Sequence, residues 1–553
     1  MSKFASKEFK PTAKSGPVKT TGTTVVNHAG GVGYNREVLS DLFVFAACNL
    51  VGEDTYYEAK GERDERFREL IHRATGTDPN WVARFVPYLR KELNMRSASV
   101  VVAVESALAR LGRVKGLAVQ DKVQYADGEV ISIRKMIDSA CQRPDEPAEV
   151  IAYWRSRTGS KAVPGGVQRG LADAVLRLYN ERNALKYDGV NQPFRMADVI
   201  SIVHPITDVL WQKELFDYLK DVRWKHDEVR VGSMLGMIQA RQQLDAIELE
   251  ERRKLLLENP AHLKDAGYTW ESMSSLGKMD KAAWEAMIPN MGIMALVRNL
   301  RNFDEAGVSD QAAQVVIDKL MDPEQIAKSR MFPYRFLSAF DAAPSLRWGY
   351  ALERAVQASA MNIPELPGRT LVLVDTSASM RGTVSAKSKM SHVQLGALIG
   401  ATIAVKTGNA ELVGFADGSF THAIPKGTGI LKTVESFQNR VGEVGHGTQM
   451  LDALKRHFKG HDRVIIVSDM QCFPYLGIGD YNHGYLWGRG NRLVTLDKIV
   501  PETVPLFGVN VAGYASTAVD TSKRNRFEIA GFSDKLFTLF GVLSRGQGAD
   551  WPF

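Results

Sequence analysis

Residues 370–380 read TLVLVDTSASM, a run of strand-forming side chains that passes straight into Asp375-Thr376-Ser377-Ala378-Ser379. A short, unbroken apolar run such as Thr370 to Val374 suits a strand buried on both faces of a parallel sheet. It ends on one carboxylate and two hydroxyls at alternate positions, so a tight loop aims three hard oxygen donors at one point. Further apolar runs lie at Ala410 to Phe415, Arg463 to Val467 and Pro505 to Val511. Helical stretches separate them, at His392 to Lys406, Ile430 to Val441 and Leu451 to Phe458. Strand alternating with helix predicts a doubly wound α/β domain over residues 365–553, entered through the proline-rich stretch Ile363 to Gly368. Ligands in such sheets sit at the carboxyl ends of the strands.

Two more donors fall on those ends. Thr448 lies in the loop Gly445-His446-Gly447-Thr448, and Asp469 follows the run Val464 to Val467. Asp375, Ser377, Ser379, Thr448 and Asp469 together form an all-oxygen set, as one Mg²⁺ prefers. The absence of His and Cys from the set argues against a nitrogen- or sulfur-seeking metal. Without the second and third loops, Asp375 and Ser377 would read equally well as caps of a following helix.

Working back from residue 364, the chain changes character. Residues 36–363 read as helix after helix, exemplified by Val100 to Leu111 and Asp208 to Leu219 with apolar side chains three and four apart. Breaks fall at Asp78-Pro79, Arg143-Pro144, Pro164-Gly165-Gly166, Asn259-Pro260, Asp322-Pro323 and Ala343-Pro344. Many helices with short breaks, over residues 29–364, suit a helical solenoid. One interruption, at 122–134 around Asp127-Gly128, reads as a β-hairpin. Residues 1–28 are rich in Lys, Thr, Ser and Gly and read as a flexible basic tail.

Composition narrows the function. The 553 residues carry a net charge of +7. Residues 84–186 alone hold 18 basic and 11 acidic side chains, an excess of seven, so the positive charge is concentrated as a polyanion-binding face would concentrate it. The apolar run Leu395 to Val405 reaches about half of the ~20 residues that span a bilayer. The N-terminus lacks the apolar core of a signal peptide. Cys48, Cys141 and Cys472 are far apart, which excludes a disulfide framework and a Cys-rich zinc site and favours a reducing, cytoplasmic setting.

The metal-loop pattern resembles the metal-ion-dependent adhesion site of von Willebrand factor A domains, and all five ligand positions match. Upstream, Arg195 to Pro205 (RMADVISIVHP), Met294 to Asn302 (MALVRNLRN) and Pro333 to Ala339 (PYRFLSA) resemble segments of the TROVE domain. Cys141 to Trp154 and the early Thr55 to Tyr57 (TYY) fit the same family. A TROVE domain followed by an A domain is the arrangement of the Ro autoantigen ribonucleoproteins, and the order matches over roughly residues 30–553. The resemblance implies a ring of HEAT-like helical hairpins closed by the A domain, acting as a monomer. It implies binding of small structured Y RNAs on the outer surface, single-stranded ends of misfolded RNAs in the central hole, and a role in noncoding RNA quality control or processing. A protein ligand offering Asp or Glu to the metal, such as an exoribonuclease, is a further implied partner.

Two RNA-contact positions carry over by motif: His204, before Pro205, and Arg182, in Tyr179-Asn180-Glu181-Arg182-Asn183. The family lysine before that tyrosine is Leu178 here. The adjacent Arg177 is a candidate substitute, although one residue rotates a helical side chain by about 100°. Arg298 and Arg301, with Asn299 and Asn302, crowd one turn of an otherwise apolar helix and are candidates for meeting RNA in the cavity. Trp211, Trp224, Trp270 and Trp284 have core-like spacings and read as packing.

Catalysis has little support. No phosphate-binding Gly-x-x-x-x-Gly-Lys-Ser/Thr loop, His-Glu-x-x-His or Gly-x-Ser-x-Gly motif occurs. Two readings compete with the RNA-binding scaffold: an adhesion-type protein-interaction module without RNA, and a metal-dependent RNA-processing enzyme. The latter would want a richer carboxylate centre.

Overall fold

The computed structural model describes residues 16–48, 51–117, 131–192, 194–225, 229–331, 333–343, 345–359, 366–384, 389–472, 495–531, 543 and 550–553. The chain divides into two units, residues 1–70, 332–338 and 356–553 in one and residues 71–331 and 339–355 in the other.

The first unit holds every described strand: β1 (Thr20–Val26), β2 (Val32–Arg36), β3 (Thr370–Asp375), β4 (Ala410–Phe415), β5 (Ser419–His422), β6 (Arg463–Ser468), β7 (Leu506–Asn510), β8 (Ser516–Thr517) and β9 (Arg526–Ala530). Six of them form one sheet in the order β5-β4-β3-β6-β7-β9. All its pairings are parallel except β4 with the edge strand β5. The sheet is that of a von Willebrand factor A-like α/β domain. Leu371, Leu373, Val413, Phe415, Val464 and Ile466 pack on one face with Leu451 and Leu454 of the helix Met450–His457. On the other face lies the helix His392–Thr407, opened by a capping box between Ser391 and Gln394. Gly400 lets this helix approach closely, since a Cβ there would meet a Val374 methyl at 2.4 Å.

The segment 1–28, expected as a flexible tail, is corrected in its last part. Thr20–Val26 pairs antiparallel with β2, which pairs in turn with β8. Thr20 donates through its hydroxyl to Asp520 at 2.9 Å, and its N–H donates to Thr521 at 2.9 Å. The strand's side chains are mostly Thr and Val, strong strand formers. Its exposed threonines give the low apolarity that imitates a tail. Arg36 then makes a two-pronged ion pair with Glu528 of β9, at 2.8 and 2.7 Å, both side chains fully buried.

The second unit is mostly helical. The expected stretches fall in the helices Arg96–Arg110 and Leu210–Trp224. Its proline breaks start helices: Asp78 caps Pro79–Lys91 by accepting from the Trp81 N–H, and Asp322 caps Pro323–Ser329. The expected hairpin at 122–134 lies largely outside the described residues. Its last two, Ile133 and Arg134, instead open the helix Ile133–Ala140, capped by Ser132. Among the described residues, no helix is long and apolar enough to cross a membrane.

Candidate functional site

The parallel register builds the oxygen-rich site. Val374 of β3 pairs with Val467 of β6, so Asp375 and Ser468 end adjacent strands side by side. The Ser468 hydroxyl donates to Asp375 Oδ2 at 2.6 Å, and the Ser377 N–H donates to Oδ1 at 2.9 Å. The Ser377 and Ser379 hydroxyls are 3.1 Å apart. The third loop is tied in by its backbone, because the Ala378 N–H donates to the His446 carbonyl at 2.8 Å. Thr448 is buried in that loop. Asp469 Oδ1 accepts from the Gln471 N–H at 3.0 Å. Its Oδ2 is buried and has no hydrogen-bond partner among the described residues.

All five predicted donors are buried, between 0 and 6% exposed. Burial holds both carboxyls above their usual range, and the Asp375 charge pushes Asp469 further. Two carboxylates brought together without a cation are mutually repulsive, and an orphaned buried oxygen is costly. The donor set therefore fits a small, hard, doubly charged cation. Among the described residues, no three His, Cys, Asp or Glu side chains gather in a metal-binding group, so this site offers only its two carboxylates and its hydroxyls.

Residues far away in sequence cover this site. Tyr57 interacts through its phenol with Ser379 and feels the Asp469 charge. His28 stacks on Tyr57 at 4.9 Å between ring centroids, and Tyr514 meets Tyr57 edge-on at 5.4 Å. The His28 N–H donates to the Gln471 side chain at 2.9 Å, and Asn27 donates to the Cys472 carbonyl at 3.0 Å. Tyr57 belongs to the TYY segment, but nothing in its spacing foretells a contact with a loop more than three hundred residues later.

The cationic candidates separate into two kinds. Arg177, at the end of the helix Gly165–Leu178, donates to the Asp138 carboxylate at 2.7 Å and to the Cys141 carbonyl at 2.7 Å. It is a strut between helices, with its side chain still 39% exposed. Arg182, on the short helix Glu181–Tyr187, is exposed and has no ion-pair partner among the described residues. His204 is also exposed and caps the helix Met196–Val203 with a left-handed backbone, φ 49°. In the helix Ile293–Glu305, Arg298 is exposed and Arg301 reaches Glu305 at 3.3 Å. Asn299 does not join them: it is buried, and its amide donates to the Ala295 carbonyl at 2.8 Å. Of the tryptophans read as packing, Trp284 is buried and Trp270 lies 6.0 Å from it, but Trp224 is half exposed.

The class follows from comparison with known proteins. Residues 263–351 match the family model of the TROVE domain. Over that stretch, which lies largely in the helical unit, the chain is similar to TROVE-domain proteins. A similar solved structure is that of the Deinococcus radiodurans Ro (RSR) protein, matched over 92% of this chain and 100% of that one, with a TM-score of 0.57 and 15% identity; this likeness is one of fold. Telomerase protein component 1 of Mus musculus and of Rattus norvegicus each match over 80 residues at 36% identity, 14% of this chain. The chain spans 3% of the length of those relatives.

Proposed function

We propose that the protein binds RNA as the scaffold of a Ro-type ribonucleoprotein. The TROVE match, the Ro fold and the positive stretch 84–186 support an RNA partner. The observation that carries the reading is the pair Arg182 and His204, exposed near two helix ends of one unit. A cation free of internal partners is available to neutralise a phosphate. Small structured Y-type RNAs are the proposed occupants of this surface. Misfolded or single-stranded RNA ends are proposed to meet Arg298 and Arg301, with noncoding RNA quality control as the resulting role. The activity is binding and not catalysis.

A single Mg²⁺ is proposed at Asp375, Ser377, Ser379, Thr448 and Asp469. When bound it would neutralise the two carboxylates. The chain's own residues fix the cradle, with Ser468 and the Ser377 N–H orienting Asp375. The covering by Tyr57 favours an ion enclosed by this chain over one open to a partner carboxylate.

Gel-shift titration of a structured Y-type RNA tests the RNA surface. Arg182→Ala/His204→Ala protein should bind more weakly and lose about one unit of salt slope. Unchanged affinity and slope in that variant would sink the assignment.

A further inference from the structure

A second site lies in the helical unit. Pro144, Asp145, Glu149, Tyr179, Tyr187 and Phe194 line a cavity of about 100 Å³, several times the space of one water. Two features mark it as more than a packing gap. Tyr179 is almost wholly buried, and its hydroxyl has no hydrogen-bond partner among the described residues. Asp145 sits at the N-cap of the helix Glu146–Thr158, yet its side chain makes no cap bond. Its Oδ2 pairs with Arg96 at 2.8 Å and Arg143 at 3.1 Å, while Oδ1 is buried and unpartnered. Native proteins leave few buried polar groups unsatisfied, and two on one cavity wall call for an occupant with both donors and acceptors.

The chemistry narrows the occupant. Asp145 and Glu149 on the wall would repel a phosphate or a carboxylate. A cation is disfavoured as well, because Arg96 already pairs with both acids. A planar, neutral group with polar edges suits the aromatic side chains Tyr187 and Phe194. Positive charge stands close by: Arg143 and Lys186 lie over the Tyr187 ring at 5.4 and 5.3 Å, and Arg155 lies over Phe194 at 5.1 Å. Proteins read RNA mostly through unpaired bases held against aromatic side chains and bonded on their edges.

We propose that this cavity receives one unpaired guanine, whose adjacent N–H donors face Asp145 and Glu149 and whose carbonyl accepts from the Tyr179 hydroxyl. This rests on the RNA-binding reading and adds a base-specific contact to it. The unpaired base comes from a bulge or loop of the bound RNA, and a free guanine nucleotide offers the same edge.

The test compares a hairpin carrying one bulged guanosine with the same hairpin lacking the bulge, in wild-type and Tyr179→Phe protein. Tyr179 donates to no described group, so the phenylalanine variant loses no internal bond. Wild type should prefer the bulged hairpin, and the variant should lose about three- to tenfold of that preference, the worth of one hydrogen bond. Affinity for the unbulged hairpin should not change. Replacing the guanosine by adenosine should likewise weaken wild-type binding. Equal affinity of wild type for both hairpins, or a preference retained in Tyr179→Phe, overturns the assignment. GMP, followed by saturation-transfer NMR, separates the sources and needs no RNA binding. If wild type binds neither hairpin, the ribonucleoprotein reading fails, and GMP contact that disappears in Tyr179→Phe keeps the cavity as a guanine site. No hairpin binding and no GMP contact overturn the site as well.

Discussion

Replacing Arg36 by Met should unfold the α/β unit far more easily than an ordinary surface change. Its guanidinium is fully buried and reaches Glu528 twice, Asp41 at 3.1 Å and the Tyr514 carbonyl at 2.8 Å. Burial alone would disfavour the charge, but Glu528 and Asp41 more than offset it and raise the Arg36 pKa. Glu528 is otherwise bonded by Asn510 at 2.9 Å, so removing Arg36 leaves its charge largely uncompensated inside the protein. Breaking a buried pair in this way costs about 3–5 kcal/mol. Removing both partners, as Arg36→Met/Glu528→Leu, leaves no stranded charge and should cost less than the single change. The assay is urea unfolding followed by circular dichroism on both variants and on Glu528→Leu, closed as a double-mutant cycle. A single-variant loss below about 0.5 kcal/mol, the range of surface changes, would refute the claim that β1 and β2 are built into this unit. So would a double variant as unstable as the sum of the two singles.

Other expectations follow from the same structure. Asp375→Ala should weaken Mn²⁺ or Mg²⁺ binding by at least ~10-fold in calorimetry, the loss that even outer-shell changes cause; wild-type affinity in that variant would remove the metal site. Arg177→Ala should lower stability while sparing the salt slope of RNA binding, because its guanidinium is spent on Asp138 and Cys141, and the opposite pattern would restore it as an RNA contact. His392 is buried, and burial lowers its pKa from 6.5 to about 4. Between those values the unfolded chain takes up a proton that the folded protein refuses, so stability falls as pH drops from 6.5 towards 4, by about 3 kcal/mol in all. His392→Gln should flatten that limb of the stability curve, and an unaltered slope would show that another group is responsible.

The strands β3, β4, β6 and β7 were legible because each is an apolar run buried on both faces. β5 and β9 were not, for a physical reason. Ser419–His422 is a polar edge strand, and Arg526–Ala530 buries an arginine and a glutamate whose charges are met by Asp497 and Arg36. Buried ion pairs are invisible to a search for apolar runs. The five buried oxygen-bearing residues were legible because strand-end loops are local, and strand order places those loops at one edge of the sheet. Tyr57 and His28 were not, since their place over the site comes from a chain crossing and not from any spacing. Arg177 and Arg182 look alike as letters in a basic stretch. Only the structure separates the strut from the exposed cation.

The central claim is that an RNA is this protein's partner, and sequencing the RNAs that co-purify with the intact protein tests it most directly. The account predicts a strong enrichment of one or a few small structured noncoding RNAs, lost when Arg182 and His204 are both replaced by Ala. An RNA profile no different from that of the lysate, in protein that is folded, would contradict it.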